Sequence, residues 1–137
     1  MNSEKGFTIT ELMIVLVIIG VLSSIAIPAY RGSVLKTNRA EGIEALIEAA
    51  QNQEVLYSQT NRYSTNAKPF IPVEATITTE NGYYTISVAN GACGTNACYT
   101  ATATAISTQV QDTTCLTLSI DNLGSKTSTP TGNSCWR

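Results

Sequence analysis

The 137-residue chain has no histidine, one tryptophan and two phenylalanines, and only 13% of its residues are charged. Each shortage excludes something. Without imidazole there is no ready general base near neutral pH and no nitrogen ligand for zinc. Eight Lys and Arg against ten Asp and Glu leave a net charge of −2, so no general attraction to a nucleic-acid backbone is expected. Cysteine is missing before Cys93, and proline is missing between Pro28 and Pro69. Charge is missing from Leu12 to Ala29. A run of that length is close to the roughly 20 residues a helix needs to cross a bilayer. The chain therefore divides into a membrane-competent front and a polar rear rich in Thr, Ser, Asn and Gly.

The front begins with a short polar leader, Met1–Gly6, followed by FTITELMIVLVIIGVLSSIAIPAY. Ser24–Ala26 has the small residues of an ordinary secretory cut, but the apolar run is longer than such signals carry and Glu11 sits at its edge. Lys5 precedes the segment while Arg31, Lys36 and Arg39 follow it, which on a positive-inside count puts the rear in the cytoplasm. The cysteines point the other way, to an oxidising compartment, and they outweigh the count. From Tyr30 to Gln59, Ile43, Leu46, Ile47, Ala50 and Tyr57 recur as a one-sided helical stripe. One helix from Phe7 to Gln59 would run about 80 Å. A domain of this size cannot bury such a rod, so its apolar front needs lipid or other chains.

Thr60–Pro72 reads as irregular, and short strands follow. Ala75–Thr79, an Asn81-Gly82 turn, Tyr83–Ala89, Tyr99–Ile106 and the alternating Leu116, Leu118 and Ile120 predict a small antiparallel sheet. Packed on the striped half of the helix, it makes an α+β fold. The tail from Asp121 to Arg137 reads as loop. Cys93, Cys98, Cys115 and Cys135 imply two disulfides, with three connectivities open. Cys93 and Cys98 flank a turn and can staple that hairpin. Reduced buried thiols are one alternative. A thiolate zinc site is the other, disfavoured because Ala92, Gly94 and Ala97 offer no supporting hydrogen bonds.

No catalytic, metal or cofactor site is expected. Ser125, Ser128 and Ser134 lack an activating partner, and Asp112 and Asp121 lack the spacing of a calcium loop. In Thr60–Arg137, Arg62, Lys68, Lys126 and Arg137 are balanced by Glu74, Glu80, Asp112 and Asp121. Electrostatic capture of DNA therefore has little support in the sequence.

GFTITELMIVLVIIGVLSSIAIPAY resembles the N-terminal signature of type IV pilins, GFTLIEL followed by an apolar run. The resemblance implies a prepilin-peptidase cut after Gly6, N-methylation of the new terminus Phe7, and an assembly role for Glu11, whose carboxylate would meet the Phe7 amine. It implies a helix kink at Pro28 and an unwinding region at Gly20. Thr10, where many relatives carry isoleucine, is a mild departure. LKTNRAEG (Leu35–Gly42), QDTTCLTLSIDNLGSK (Gln111–Lys126) and CWR (Cys135–Arg137) are similar to PilE-type minor pilins. In pilins the last cysteine pair closes a C-terminal loop, here Cys115 with Cys135, which leaves Cys93 and Cys98 as an addition that pairs with itself.

The expected organisation is a leader (1–6), a transmembrane and filament-core helix (7–30), an amphipathic helix half (31–59) and a globular head (60–137). The expected function is that of a minor pilin promoting filament assembly, and through it motility, adhesion or DNA uptake. The rivals are a DNA- or surface-binding receptor pilin and a type II secretion pseudopilin. The implied partners are other pilin subunits, major and minor, the prepilin peptidase, the inner-membrane assembly machinery and, before assembly, the membrane itself. Direct nucleic-acid binding is not expected. The precursor would sit in the inner membrane with its head in the periplasm and then join an extracellular pilus.

Overall fold

The computed structural model describes residues 6–130, 135 and 136; the expectations placed on Met1–Lys5, Ser134 and Arg137 lie outside these residues. Contacts divide the chain between Val34 and Leu35. One helix, α1 (Ile9–Thr60), contributes to both units. In the front unit the apolar side chains from Leu12 to Ile27 are all exposed. A helix apolar around its whole circumference must be covered by lipid or by other helices. It is also long and apolar enough to cross a membrane. Pro28 lies inside it, where its ring nitrogen cannot donate to the carbonyl of Ser24.

The rear unit is a five-stranded antiparallel sheet with strands in sequence order: β1 (Thr76–Thr78), β2 (Tyr84–Asn90), β3 (Tyr99–Ala105), β4 (Cys115–Asp121) and β5 (Lys126–Pro130). One face is buried beneath residues 42–53 of α1. Tyr84, Ile86 and Leu118 are fully buried there, as are the β3 residues Ala101 and Ala103. Each large apolar side chain of this kind stabilises by about 1.5–3 kcal/mol.

Three details differ from the sequence reading. The buried line on α1 is Gly42, Leu46, Ala49 and Gln53, while Ile47 and Tyr57 of the expected stripe are each 38% exposed. Two of these four, Gly42 and Ala49, are small and leave room for bulky side chains of the sheet. Gly42 shows this directly: a Cβ there would lie 2.8 Å from Tyr84 Cδ2. The buried Gln53 amide is satisfied by the loop after the helix, accepting from Ser64 N at 2.8 Å and donating to the Asn66 carbonyl at 2.8 Å.

The tail is not all loop. Lys126–Pro130 forms β5, entered from a turn in which Asp121 Oδ1 accepts from Leu123 N and Ser125 N while Gly124 adopts φ +74°. KTSTP has no large apolar residue and so gives no alternating signal. Finally, Leu116 is only half buried while Cys115 and Leu118 both point inward. A register shift between Cys115 and Thr117 puts these two residues, an odd number apart, on one face.

Candidate functional site

In the front unit Gly6, Phe7 and Thr8 precede the helix, and Phe7 is 90% exposed. Thr8 and Glu11 cap the helix reciprocally. Thr8 N donates to Glu11 Oε2 at 2.9 Å, the Thr8 hydroxyl donates to the same oxygen at 2.8 Å, and Glu11 N donates to Thr8 Oγ1 at 3.3 Å. This capping box satisfies helix-terminal donors and gives the carboxylate two donors of its own. Glu11 is thus held by Thr8, which the sequence reading did not single out. Its signal was the T-x-x-E spacing. Among the described residues, a Cβ added at Gly20 would meet nothing within 4 Å.

In the rear unit Arg39 on α1 grips Asp112, with Nε to Oδ2 at 2.5 Å and Nη2 to Oδ1 at 2.7 Å. Asp112 is 4% exposed. Thr114 donates to its Oδ1 at 2.9 Å, and Gln109 Nε2 bridges its Oδ2 to the Leu35 carbonyl. The short 3-10 turn Ser107–Gln111 places Gln109 for this. Burial pushes the Asp112 carboxyl up, but the Arg39 and Thr114 hydrogen bonds outweigh it and hold the group below the usual carboxylate range. The sequence signals neither Arg39 nor Asp112 nor Gln109, because the partners are more than seventy residues apart. The clamp also uses up Arg39 as a surface cation.

Cys115 is bonded to Cys135, with Cα atoms 5.9 Å apart, and Cys135 is fully buried. The bond carries Trp136 back onto the sheet edge, where its indole donates to the Thr127 carbonyl at 2.8 Å and the Lys126 ammonium lies 5.2 Å from its ring centre. Cys93 is bonded to Cys98 across the β2–β3 connection, also with Cα atoms 5.9 Å apart. That loop is held further by Asn96 N donating to Asn90 Oδ1 at 3.0 Å. Beside it Tyr99 and Tyr63 meet edge to face at 4.9 Å, and both hydroxyls point at Glu54. Burial, followed by the nearby Glu54 charge, raises the Tyr99 phenol far above its usual range.

The described residues include no group of His, Cys, Asp and Glu able to hold a metal ion. What the arrangement offers is an exposed apolar helix with a self-capped acidic start, and a head closed by two disulfides and an ion-pair clamp.

Comparison with known proteins agrees with this division. Residues 28–119 match a family described as "Type IV minor pilin ComP, DNA uptake sequence receptor", and residues 1–27 match the prokaryotic N-terminal methylation motif. The fimbrial protein EcpC of Eikenella corrodens is 38% identical over 100 residues, which is 72% of this chain and 62% of that one. The type II secretion system core protein G of Klebsiella michiganensis is 29% identical over 90 residues, 60% of this chain and 63% of that one. The matches thus span less than two thirds of the length of these relatives. The solved structure of a type IV pilin from Shewanella oneidensis superposes with a TM-score of 0.54 at 22% identity, covering 75% of this chain and 98% of that one.

Proposed function

This chain belongs to the type IV pilin superfamily, a class of structural, non-catalytic subunits, and from that premise we propose that it is a minor pilin of a type IV pilus. One observation carries the reading: a family described as a type IV minor pilin matches residues 28–119, most of the chain behind the N-terminal signature. The scattered likeness to PilE-type minor pilins supports the same grade of subunit. In this reading a peptidase cuts after Gly6, and the exposed Leu12–Ile27 surface exchanges lipid for neighbouring helices. Glu11 trades its Thr8 donors for a pilin amine, and the head stays folded on its clamp and disulfides. The route runs from the inner membrane, with the head outside the cytoplasm, to the extracellular filament, and its partners are other pilins, the peptidase and the assembly machinery. Sheared, purified filaments analysed by quantitative mass spectrometry test this. The expected result is a chain present at a small fraction of the major subunit, starting at methylated Phe7. Absence from filaments together with presence in secretion-machine preparations would instead favour the pseudopilin role of the Klebsiella relative.

A second reading has its own support. The matched family is described as a DNA uptake sequence receptor, which makes direct DNA binding a candidate activity. The balanced charge of the head opposes it, since phosphate contacts supply most of the affinity for DNA. Retention of labelled duplex by the full chain in detergent, falling steeply with salt, would establish the receptor role; no retention at low salt would remove it.

A further inference from the structure

The face of the sheet turned away from α1 carries a regular pattern. The strand register sets Thr78, Thr85, Thr104, Thr117 and Thr129 side by side, one from each strand. Two residues along, Thr76, Ser87, Thr102, Ser119 and Thr127 form a second row in the same way. Intervening residues such as Ile86, Ala103 and Leu118 are buried, so both rows stand on the opposite, solvent side. All ten side chains are exposed or half exposed. Every position of this block is a hydroxyl, with no charged, aromatic or aliphatic residue among them. Strand preference explains part of the threonine, but valine or tyrosine would serve a strand as well. Lys126 and Pro130 guard the β5 edge in the usual way, and the hydroxyls run between them and across to β1.

We propose that this hydroxyl grid is a docking face for neutral polysaccharide. Threonine and serine hydroxyls donate or accept in either sense, as sugar hydroxyls do, and the threonine methyls can lie against the C–H faces of a sugar ring. Neither row holds a charge, so a phosphate- or sulfate-bearing polymer would gain no ion pair. The grid measures about 19 Å by about 7 Å at ordinary strand spacing. That is several-fold short of the roughly 800 Å² per partner that stable protein interfaces bury, which disfavours a second copy of this chain. Adjacent strands rotate by roughly 20–25°, so a flat crystal plane cannot meet all five strands, whereas a flexible glycan can follow the twist. Thr102 and Ser119 are hydrogen bonded at 3.1 Å, and Thr117 and Thr129 also share a hydrogen bond. Those cross-strand bonds hold the hydroxyls in place and lower the ordering cost of binding. Each contact is weak, and display of many heads together supplies the avidity.

The test uses the full chain, anchored by its apolar helix in phosphatidylcholine vesicles so that many heads are displayed. Vesicles are incubated with regenerated amorphous cellulose and with cross-linked dextran, and protein retained after washing is measured against uncharged polystyrene. Retention on at least one glycan, above polystyrene and unchanged by molar salt, is expected. Thr102→Val with Thr117→Val keeps shape and strand preference while removing two hydroxyls. Its retention should fall roughly tenfold or more, as the loss of two hydroxyl contacts implies, with a melting curve shifted by no more than the two lost cross-strand hydrogen bonds account for. If that pair misfolds, Thr104→Lys with Thr129→Lys, both exposed, should show the same loss. Wild-type retention no greater than on polystyrene, undiminished retention by a folded variant, or binding to heparin–agarose alone would overturn the proposal.

Discussion

Gly42 on α1 and Tyr84 on β2 fill one space: the tyrosine ring lies where a side chain at 42 would begin, its Cδ2, Cγ and Cε2 all within 3.0 Å of an added Cβ. The near part of a fully buried ring cannot swing aside without moving β2 or the helix. Gly42→Ala should therefore destabilise despite the better helix propensity of alanine. Overpacking costs typically 1–3 kcal/mol, and the propensity gain offsets at most about 1 kcal/mol. A thermal melt lower by several degrees is expected, and an unchanged or raised midpoint would refute the packing argument.

The Arg39–Asp112 clamp should be visible as acid sensitivity. The folded-state pKa of Asp112 is lowered, so its contribution is fully present above the unfolded value of about 3.9 and disappears as pH falls through the folded value. Melting temperature should hold level down to about pH 5 and drop below about pH 4. Asp112→Asn should cost roughly 2–3 kcal/mol at neutral pH, where a nearly buried guanidinium contact is lost, and should flatten part of the acid limb. A variant whose melts track the wild type from neutral to acid pH would show the pair to be energetically idle.

The disulfides should differ in weight. The Cys115–Cys135 bond closes the larger loop, with a separation of 20 residues against 5 for Cys93–Cys98. Chain-entropy reasoning gives the longer loop about 3 kcal/mol and the shorter one less. Replacing Cys115 and Cys135 by serine should lower the melt more than replacing Cys93 and Cys98, whose neighbours keep seven paired residues between β2 and β3. It should also free Trp136, seen as a red shift of its fluorescence. Peptide mapping under non-reducing conditions checks the pairing itself, and a Cys93–Cys115 peptide would overturn it.

Glu11 and Thr8 separate insertion from assembly. Glu11→Val leaves the apolar run longer, so membrane insertion and leader removal should persist while entry into filaments falls. Thr8→Ala removes the cap hydroxyl at about 1 kcal/mol but leaves the carboxylate, so filament levels should fall less than for Glu11→Val. Immunoblots of membrane and sheared-filament fractions report both, with intact mass marking loss of Met1–Gly6. Normal filament incorporation of Glu11→Val would exclude a pairing role for the carboxylate.

Much of this was legible along the chain because the signals are local. A charge-free run from Leu12 to Ala29 declares a helix that needs covering, whereas the T-x-x-E spacing that marks its start went unread. YTATATA alternates so cleanly that β3 and its buried alanine face follow from the residues alone. Alternation failed at β5, where KTSTP contains nothing apolar to mark an inward face and pairing with β4 alone makes it a strand. It failed again at Leu116, because a bulge changes which residues face inward without changing the sequence pattern.

Composition and periodicity therefore determined the membrane-competent front, the α+β class and the cysteine-stapled rear. They did so because an apolar run, helical or strand periodicity and cysteine spacing are each carried by residues only a few positions apart. Tertiary structure decided which line of α1 is buried, since that depends on the volume Tyr84 brings from forty residues away. It decided that Arg39 spends its charge on Asp112, and that ten hydroxyls from five strands share one face. Pairings between distant segments depend on register and shape, and no local pattern in the chain encodes them.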